Sequence, residues 1–262
     1  MLRLTDVVKN LLILNVLLFI AGYMFNTNML ALYYPGSSNF QPFQLVTHFF
    51  MHGSVMHILF NMWALVMFGA VLETLWGPKR FLFYYLFCAF GAAFLHMGVD
   101  YYQINGLQTI MTDFAANPNY EDFQLFFDKA NLGGINLSAR ESIEQIGALL
   151  SEGNTSVAKQ AQNYMEQYIE LKKDIPVVGA SGAIFGLLLA FGMLFPENKL
   201  MLIFPPIPIK AKFFIPILIL IELFLGMRQF SGDNIAHFAH LGGALFGFLL
   251  ILYWRKTGER LY

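Results

Sequence analysis

The sequence has little charge. Asp, Glu, Lys and Arg make up 13% of its 262 residues, and the formal net charge is −1, whereas soluble domains carry about a quarter charged residues. No block of basic residues is present, so the chain lacks the electrostatic footprint of a nucleic-acid-binding protein. Apolar residues take the place of charge: 57% are hydrophobic and the mean hydropathy is +0.55. These values predict an integral membrane protein.

Cysteine is equally scarce. Cys88 is the one cysteine of the chain, which excludes an intrachain disulfide and a cysteine-rich metal site. It lies inside an apolar segment, and we interpret it as a packing residue.

Six apolar segments are predicted to cross a bilayer, because about 20 helical residues span the hydrocarbon core. They are Val7–Phe25, Val55–Trp76, Phe81–Val99, Val177–Phe195, Phe213–Met227 and Ile235–Trp254. The fifth is short and contains Pro216 and Glu222. The first lacks the small-x-small cleavage site of a signal peptide, and we interpret it as a retained helix. The predicted fold is an all-α bundle of six transmembrane helices, one domain over residues 1–262.

Lysine and arginine in the short loops predict the orientation of this bundle. One side collects Arg3, Lys9, Lys79, Arg80, Lys199, Lys210, Lys212, Arg255, Lys256 and Arg260. The short segments opposite, 26–46 and 228–234, contain only Arg228. Both termini are therefore expected in the cytoplasm. His57, Ser181 and His240, near the starts of the second, fourth and sixth spans, are expected together in the outer half of the membrane.

Residues 100–176 form a long connection between the third and fourth spans, on the outer side of this topology. Ser138 and Glu141 fit a capping box ahead of a helix, and apolar residues recur at helical spacing after Asn154. Five aromatic residues suggest either an amphipathic element on the membrane surface or part of a packed core. They are Phe114, Tyr120, Phe123, Phe126 and Phe127. We expect a folded, partly helical extramembrane insertion.

Ser181 lies in Gly179-Ala180-Ser181-Gly182 at the start of the fourth span. Amide groups at a helix N-terminus are free donors, and the helix dipole there favours negative charge. Both would stabilise an oxyanion formed when the Ser181 hydroxyl attacks a carbonyl. The alternative is a face of small residues for helix packing.

Two histidines in the sixth span could serve such a serine as a base. His240 is followed at three and seven residues by Gly243 and Gly247, which allow close approach of another helix. His237 lacks that spacing, so His240 is the predicted base and His237 a neighbouring structural residue.

The second span begins with a further polar group. His57 and Asn61 are four residues apart and share a helix face, and both can donate hydrogen bonds to an oxyanion. His48 and His52 precede them, and we interpret these two as residues that order the loop. A metal site at the three histidines is the alternative, but no acidic residue accompanies them.

Two acidic residues lie within the spans. Glu73 follows Gly69 near the cytoplasmic end of the second span, and we expect it to bond loop amides or to face water. Glu222 in the fifth span has no partner evident from spacing, and the sequence leaves its role open.

The combined motifs resemble the rhomboid family of intramembrane serine proteases. They are His57-x-x-x-Asn61, Gly179-Ala180-Ser181-Gly182 and Ala239-His240-x-x-Gly243-x-x-x-Gly247, in that order on the second, fourth and sixth spans.

The resemblance implies that Ser181 is the nucleophile and His240 the general base and later acid. His57, Asn61 and the backbone amide of Ser181 would form the oxyanion hole. The family works with a Ser-His dyad, which agrees with the lack of an acidic residue beside the His240 motif in sequence. Glu73 resembles a structural glutamate of the family. No metal or organic cofactor is implied.

The implied reaction is hydrolysis of a peptide bond in or near a transmembrane segment, so the expected partners are transmembrane protein substrates and the lipid bilayer. The absence of a long transit peptide favours a bacterial plasma membrane over mitochondria.

Two features depart from the family pattern: Phe43-Gln44 stands where many members have Trp-Arg, and the connection formed by residues 100–176 is unusually long.

Two other functional classes remain as alternatives. A catalytically dead relative would typically lack Ser181 or His240, and a transporter commonly shows repeated halves, which this sequence does not.

Overall fold

The computed structural model describes residues 4–130, 136–201, 207–228 and 235–258. Arg3 and Arg260, used above for the orientation, lie outside these residues. The helices are α1 (Asp6–Met24), α2 (Gln44–Thr47), α3 (Val55–Ala64), α4 (Ala70–Trp76), α5 (Pro78–Ala116), α6 (Tyr120–Ala130), α7 (Leu137–Ser151), α8 (Ala158–Lys173), α9 (Ser181–Leu194), α10 (Ala211–Arg228) and α11 (His237–Lys256). Short 3₁₀ turns occur at Asn28–Leu30, His48–Phe50 and Thr155–Val157, and a π-helical turn at Leu65–Gly69 joins α3 to α4.

Four described helical segments are long and apolar enough to cross a membrane. They are Asp6–Met24, Val55–Trp76, Pro78–Ala116 and His237–Lys256. α9 is apolar but has 14 residues, and α10 includes Lys212, Glu222 and Arg228 among its 18. The chain is therefore a mostly helical protein with four candidate membrane spans, and the count of six stays a prediction.

A small β-hairpin corrects the all-α prediction. Strands β1 (Lys199–Met201) and β2 (Pro208–Lys210) pair antiparallel, with Lys199 opposite Lys210. Glu197 beside the hairpin forms ion pairs with Lys210 and Lys212. These hydrogen-bonded partners lower the pKa of the exposed Glu197 carboxyl to about 2. Strands of three residues are too short for an alternating pattern to reveal them.

Two helix ends also differ from the predictions. The third predicted span ends at Val99, but α5 continues to Ala116, because its later turns bury Ile104, Leu107 and Phe114 against other helices. The capping box at Ser138 is wrong as well. α7 begins after Asn136, whose side chain accepts a hydrogen bond from the Ala139 amide, and an Asn carbonyl is as effective an N-cap as a Ser hydroxyl.

The larger hydrophobic core lies among α1, α3, α4, α5, α9, α10 and α11. The crossing of α5, α9 and α11 depends on small residues. A Cβ atom on Gly243 would lie 1.8 Å from the carbonyl oxygen of Gly182, and one on Gly186 would lie 2.4 Å from Cys88 Sγ. The close approach that the spacing of Gly243 predicts is therefore present, and Cys88 is a buried packing residue as predicted.

Glu73 ties the ends of two helices together. Its carboxylate accepts hydrogen bonds from the amides of Val7 and Val8, each at 2.9 Å, and from the Thr5 hydroxyl. These amides belong to the first turn of α1, where no intrahelical acceptor exists. The carboxylate therefore bonds amides at a helix N-terminus, where the sequence predicted loop amides, and it fixes the start of α1 against α4.

The 100–176 segment has a hydrophobic core of its own. The buried members are Ile104, Leu107, Ile110, Phe114, Phe123, Phe126, Phe127, Ala130, Ile143, Ile146, Leu150, Ala161, Met165 and Ile169. Of the two interpretations of the aromatic stretch, packing into a core is correct for four residues, while Tyr120 is 38% exposed. Asp174 at the end of α8 accepts hydrogen bonds from Ser37 and Asn39, which fastens this segment to the loop before α2.

Candidate active site

Ser181 is the first residue of α9, and an extended stretch leads the chain to it. Val177 pairs with Leu32 through two backbone hydrogen bonds, and the Gly179 amide donates to the His48 carbonyl at 2.9 Å. Gly179 has φ = +123°, a conformation that side chains with a Cβ rarely adopt. This turn puts the Ser181 hydroxyl at a helix N-terminus, among amides that lack intrahelical partners.

His240 lies one turn into α11 and contacts Ser181. Its Nε2 is 2.8 Å from Ser181 Oγ, within the range of a hydrogen bond. The contact is possible because α9 and α11 approach closely at Gly182 and Gly243. The imidazole also stacks on the Phe185 ring, with centroids 4.3 Å apart and planes 8° from parallel, so its orientation is fixed. Phe185 is a neighbour that the sequence reasoning missed, although it lies four residues after Ser181 on α9.

His57 lies beside the turn that precedes Ser181. A Cβ atom on Gly179 would be 2.8 Å from His57 Nε2 and 3.6 Å from Ser181 Oγ. The His57 ring and the Ser181 hydroxyl therefore both lie next to Gly179. The Ser54 hydroxyl accepts a hydrogen bond from the His57 amide and begins α3. Asn61 is buried on the same helix, and its Nδ2 donates to the His57 carbonyl at 2.9 Å.

The loop before α3 is ordered by polar side chains. His48 Nδ1 lies 2.6 Å from the Gln44 carbonyl, which fits the predicted role of His48. Gln44 is fully buried, and its amide donates to the Met29 and Asn39 carbonyls. Gln44 therefore holds this loop together by neutral hydrogen bonds at the position where the family pattern has arginine. Phe43 beside it is 43% exposed.

A small cavity lies against Ser181. Its volume is about 20 Å³, and its lining includes His48, Ala92, Gly179 and Ala239. A cavity of this size admits about one water molecule.

An acidic residue adjoins His240, contrary to the expectation from sequence. Glu222 Oε2 on α10 is 2.9 Å from His240 Nδ1 and 2.7 Å from His237 Nδ1. The Glu222 side chain is 11% exposed. Spacing within α11 could not reveal this partner, because Glu222 is on another helix. A usable signal was present, since an acid in an apolar span needs a polar partner and two histidines begin the next helix.

The position of the candidate metal ligands also differs from the alternative raised above. Among the described residues, the side chains of Glu222, His237 and His240 form one cluster of possible metal ligands, whose ligand atoms lie within 4.8 Å of one another. His48, His52 and His57 form no such cluster among the described residues. His52 and His57 contact each other through their rings, with centroids 5.0 Å apart.

Comparison with known proteins agrees with this architecture. The family model of the Rhomboid domain matches residues 39–108 and 146–257. The matched residues include α3, α9, α10 and α11, and the gap between them falls within the 100–176 segment. Rhomboid-like protein 15 from Arabidopsis thaliana is 42% identical over 60 residues, which are 23% of this chain and 15% of that relative. The match to the family model covers more than half of the chain, and the protein belongs to the rhomboid family.

Proposed function

We propose that this protein is an intramembrane serine endopeptidase that hydrolyses peptide bonds in or near the transmembrane segments of other proteins. The observation that carries the proposal is the 2.8 Å contact between Ser181 Oγ and His240 Nε2. A hydroxyl within hydrogen-bond reach of an imidazole is the arrangement of an activated nucleophile and its base. Membership of a family that generally consists of intramembrane proteases supports the same reaction class.

The reaction begins when Ser181 Oγ attacks the carbonyl carbon of the scissile peptide and its proton passes to His240 Nε2. The resulting oxyanion accepts hydrogen bonds from the Ser181 amide, from His57 and from Asn61. The Asn61 amide carries two N–H groups, of which one donates to the His57 carbonyl, so the other is assigned to the oxyanion.

Collapse of the tetrahedral intermediate breaks the C–N bond, and His240 gives its proton to the leaving amine. Water then attacks the acyl-enzyme and loses its proton to His240, and the ester bond to Ser181 Oγ breaks as the proton returns to Ser181. The cavity of about 20 Å³ beside Ser181 has room for such a water molecule.

The proposed topology has six spans, with α9 and α10 added to the four candidates. Lysine and arginine assign both termini to the cytoplasm. Ser181, His240 and His57 then lie in the outer half of the membrane, and the 100–176 segment is an extramembrane insertion on that side. A helical substrate hides its carbonyls in hydrogen bonds, so it must unwind before Ser181 can attack, and segments with small or helix-breaking residues are the expected substrates.

The test is cleavage of a single-pass membrane protein by the wild type and by Ser181→Ala and His240→Ala in liposomes. Both variants are expected to stay folded and to lose cleavage, and a fluorophosphonate is expected to label the wild type at Ser181. Cleavage that persists in Ser181→Ala would refute the proposal. Absence of labelling would favour a binding or escort role, and loss of activity in His237→Ala but not in His240→Ala would assign the base to His237.

A further inference from the structure

The proposed reaction leaves Glu222 without a task, although this side chain is buried in the bundle beside the base. One of its oxygens, Oε2, contacts the Nδ1 atoms of both His237 and His240. A carboxylate can only accept hydrogen bonds. Each of the two Nδ1 atoms must therefore carry the hydrogen that it shares with Glu222.

This hydrogen determines the tautomer of His240. A neutral imidazole has one N–H and one bare nitrogen, so a hydrogen on Nδ1 leaves the lone pair on Nε2. Nε2 is the atom 2.8 Å from Ser181 Oγ, and it must be bare to accept the serine proton. The contact to Glu222 thus selects the tautomer in which His240 can act as a base.

We propose that Glu222 is a positioning residue that converts the Ser181–His240 pair into a Ser-His-Glu triad. The inference rests on the proposed function and deepens it. Glu222 holds His240 with Nδ1 protonated and stabilises the imidazolium that forms when Ser181 gives up its proton, while Glu222 itself stays ionised. The attraction between the Glu222 carboxylate and the His240 imidazolium is stronger than it would be in water, because both lie within an apolar bundle of low dielectric constant.

The surroundings keep Glu222 in place. α10 and α11 approach closely one turn after Glu222, where a Cβ atom on Gly226 would lie 3.1 Å from His237 Cβ. His237 and His240 belong to the first turn of α11, and the dipole of a helix favours a negative charge there. His237 contributes the second N–H to Oε2, and we assign it the task of anchoring the carboxylate.

The first test compares Glu222→Gln with wild type in the reconstituted cleavage assay. Glutamine keeps the size of the side chain but removes its charge and can present N–H to Nδ1. We expect kcat to fall roughly 10²-fold with KM unchanged, less than the ~10⁴-fold loss for the corresponding aspartate of a soluble serine protease. Glu222→Asp keeps the charge and is expected to recover part of this loss. Glu197→Gln makes the same chemical change beside the β-hairpin and is expected to retain wild-type kinetics.

These kinetics separate positioning from a structural role. A kcat for Glu222→Gln within about threefold of wild type would overturn the triad, as would a Glu222→Asp variant no more active than Glu222→Gln. The assay is repeated after treatment with a chelator, because Glu222, His237 and His240 could also hold a cation. Cleavage that is lost on chelation and restored by zinc would overturn the proton-sharing arrangement.

The second test does not depend on activity. ¹⁵N NMR of the histidine side chains reports which ring nitrogen carries hydrogen, and the signals of His240 are assigned by their loss in His240→Asn. In Ser181→Ala protein we expect His240 to be protonated at Nδ1, with a mixture of tautomers once Glu222→Gln is added. Protonation at Nε2 with Glu222 intact would refute the triad. If the tautomer is as expected but no substrate is cleaved, the proposed function fails while the positioning by Glu222 stands.

Discussion

The two hydrophobic cores of this chain both bury large apolar side chains, and they differ at the crossing of α5, α9 and α11. Where α5, α9 and α11 cross, the contacts are made by glycine, alanine and cysteine, and backbones touch directly. The 100–176 segment is packed by phenylalanines and large aliphatic residues. Lipid gives helices no hydrophobic reason to associate, so close approach of small residues provides the packing in a membrane. Burial of large apolar side chains stabilises a domain that folds against water.

The difference shows why the site lies where it does. A Ser–His contact of 2.8 Å between two helices requires backbones closer than bulky side chains allow, and the glycine crossing supplies that distance. Among its described residues, the core of the 100–176 segment has no such crossing, and it contains none of the proposed site residues. Substitutions in the two cores are therefore expected to affect Ser181 and His240 differently.

The largest effect on the packing of the site is expected from Gly243→Ala. The added Cβ atom would lie 1.8 Å from the Gly182 carbonyl oxygen, so α9 and α11 must move apart and His240 must leave Ser181. A displacement of about 1 Å can lower a rate 10²-fold, and we expect fluorophosphonate labelling of Ser181 to fall to roughly 1% of wild type.

The matched control is Gly98→Ala on α5. No atom lies within 4 Å of the position that its Cβ would occupy, so labelling is expected to stay at the wild-type level. Full labelling of Gly243→Ala would mean that the glycine crossing does not determine the geometry of the site.

The oxyanion donors can be weakened without adding a side chain at the crossing of α9 and α11. Asn61→Ala removes one proposed donor and leaves His57 and the Ser181 amide, so we expect cleavage to fall roughly 10²-fold to 10³-fold without being abolished. The measurement is kcat in liposomes, with thermal unfolding as the control for folding. An unchanged kcat would remove Asn61 from the oxyanion hole.

Phe126→Ala tests the other core. Phe126 is fully buried there and contacts the Phe127 and Tyr168 rings, and truncation of a buried phenylalanine costs about 3–5 kcal/mol. We expect faster hydrogen exchange in α6, α7 and α8, with labelling of Ser181 retained. The neighbouring Leu125→Ala, on a side chain that is 42% exposed, should change little. Loss of labelling in Phe126→Ala alone would show that the two cores fold as one unit.

The sequence indicates much of this architecture, for reasons that differ between elements. Long apolar segments predict α1, α5 and α11, and the order of the motifs predicts that Ser181 and His240 meet. The three-residue strands and the extension of α5 to Ala116 escape prediction, because tertiary contacts stabilise them and local periodicity does not reveal them.

Glu222 is the most instructive omission. Its partners His237 and His240 lie 15 and 18 residues away on another helix, and no spacing rule relates residues of two different helices. An acidic residue in an apolar span indicates that a partner exists, but only the packing of α10 on α11 identifies it.

The smallest effect is expected from the titration of Tyr168. Burial among the side chains of the 100–176 core raises the pKa of its hydroxyl to about 12, above the usual value near 10. Because the folded pKa is the higher one, the stabilisation is complete below pH 10 and is lost as the pH rises through 12. ¹³C NMR of the tyrosine rings, assigned by comparison with Tyr168→Phe, should show this late titration. The Tyr168 titration should return to about pH 10 in the Phe126→Ala protein. A value near 10 in the wild type would mean that water reaches Tyr168 and that this core is packed less tightly than its buried rings indicate.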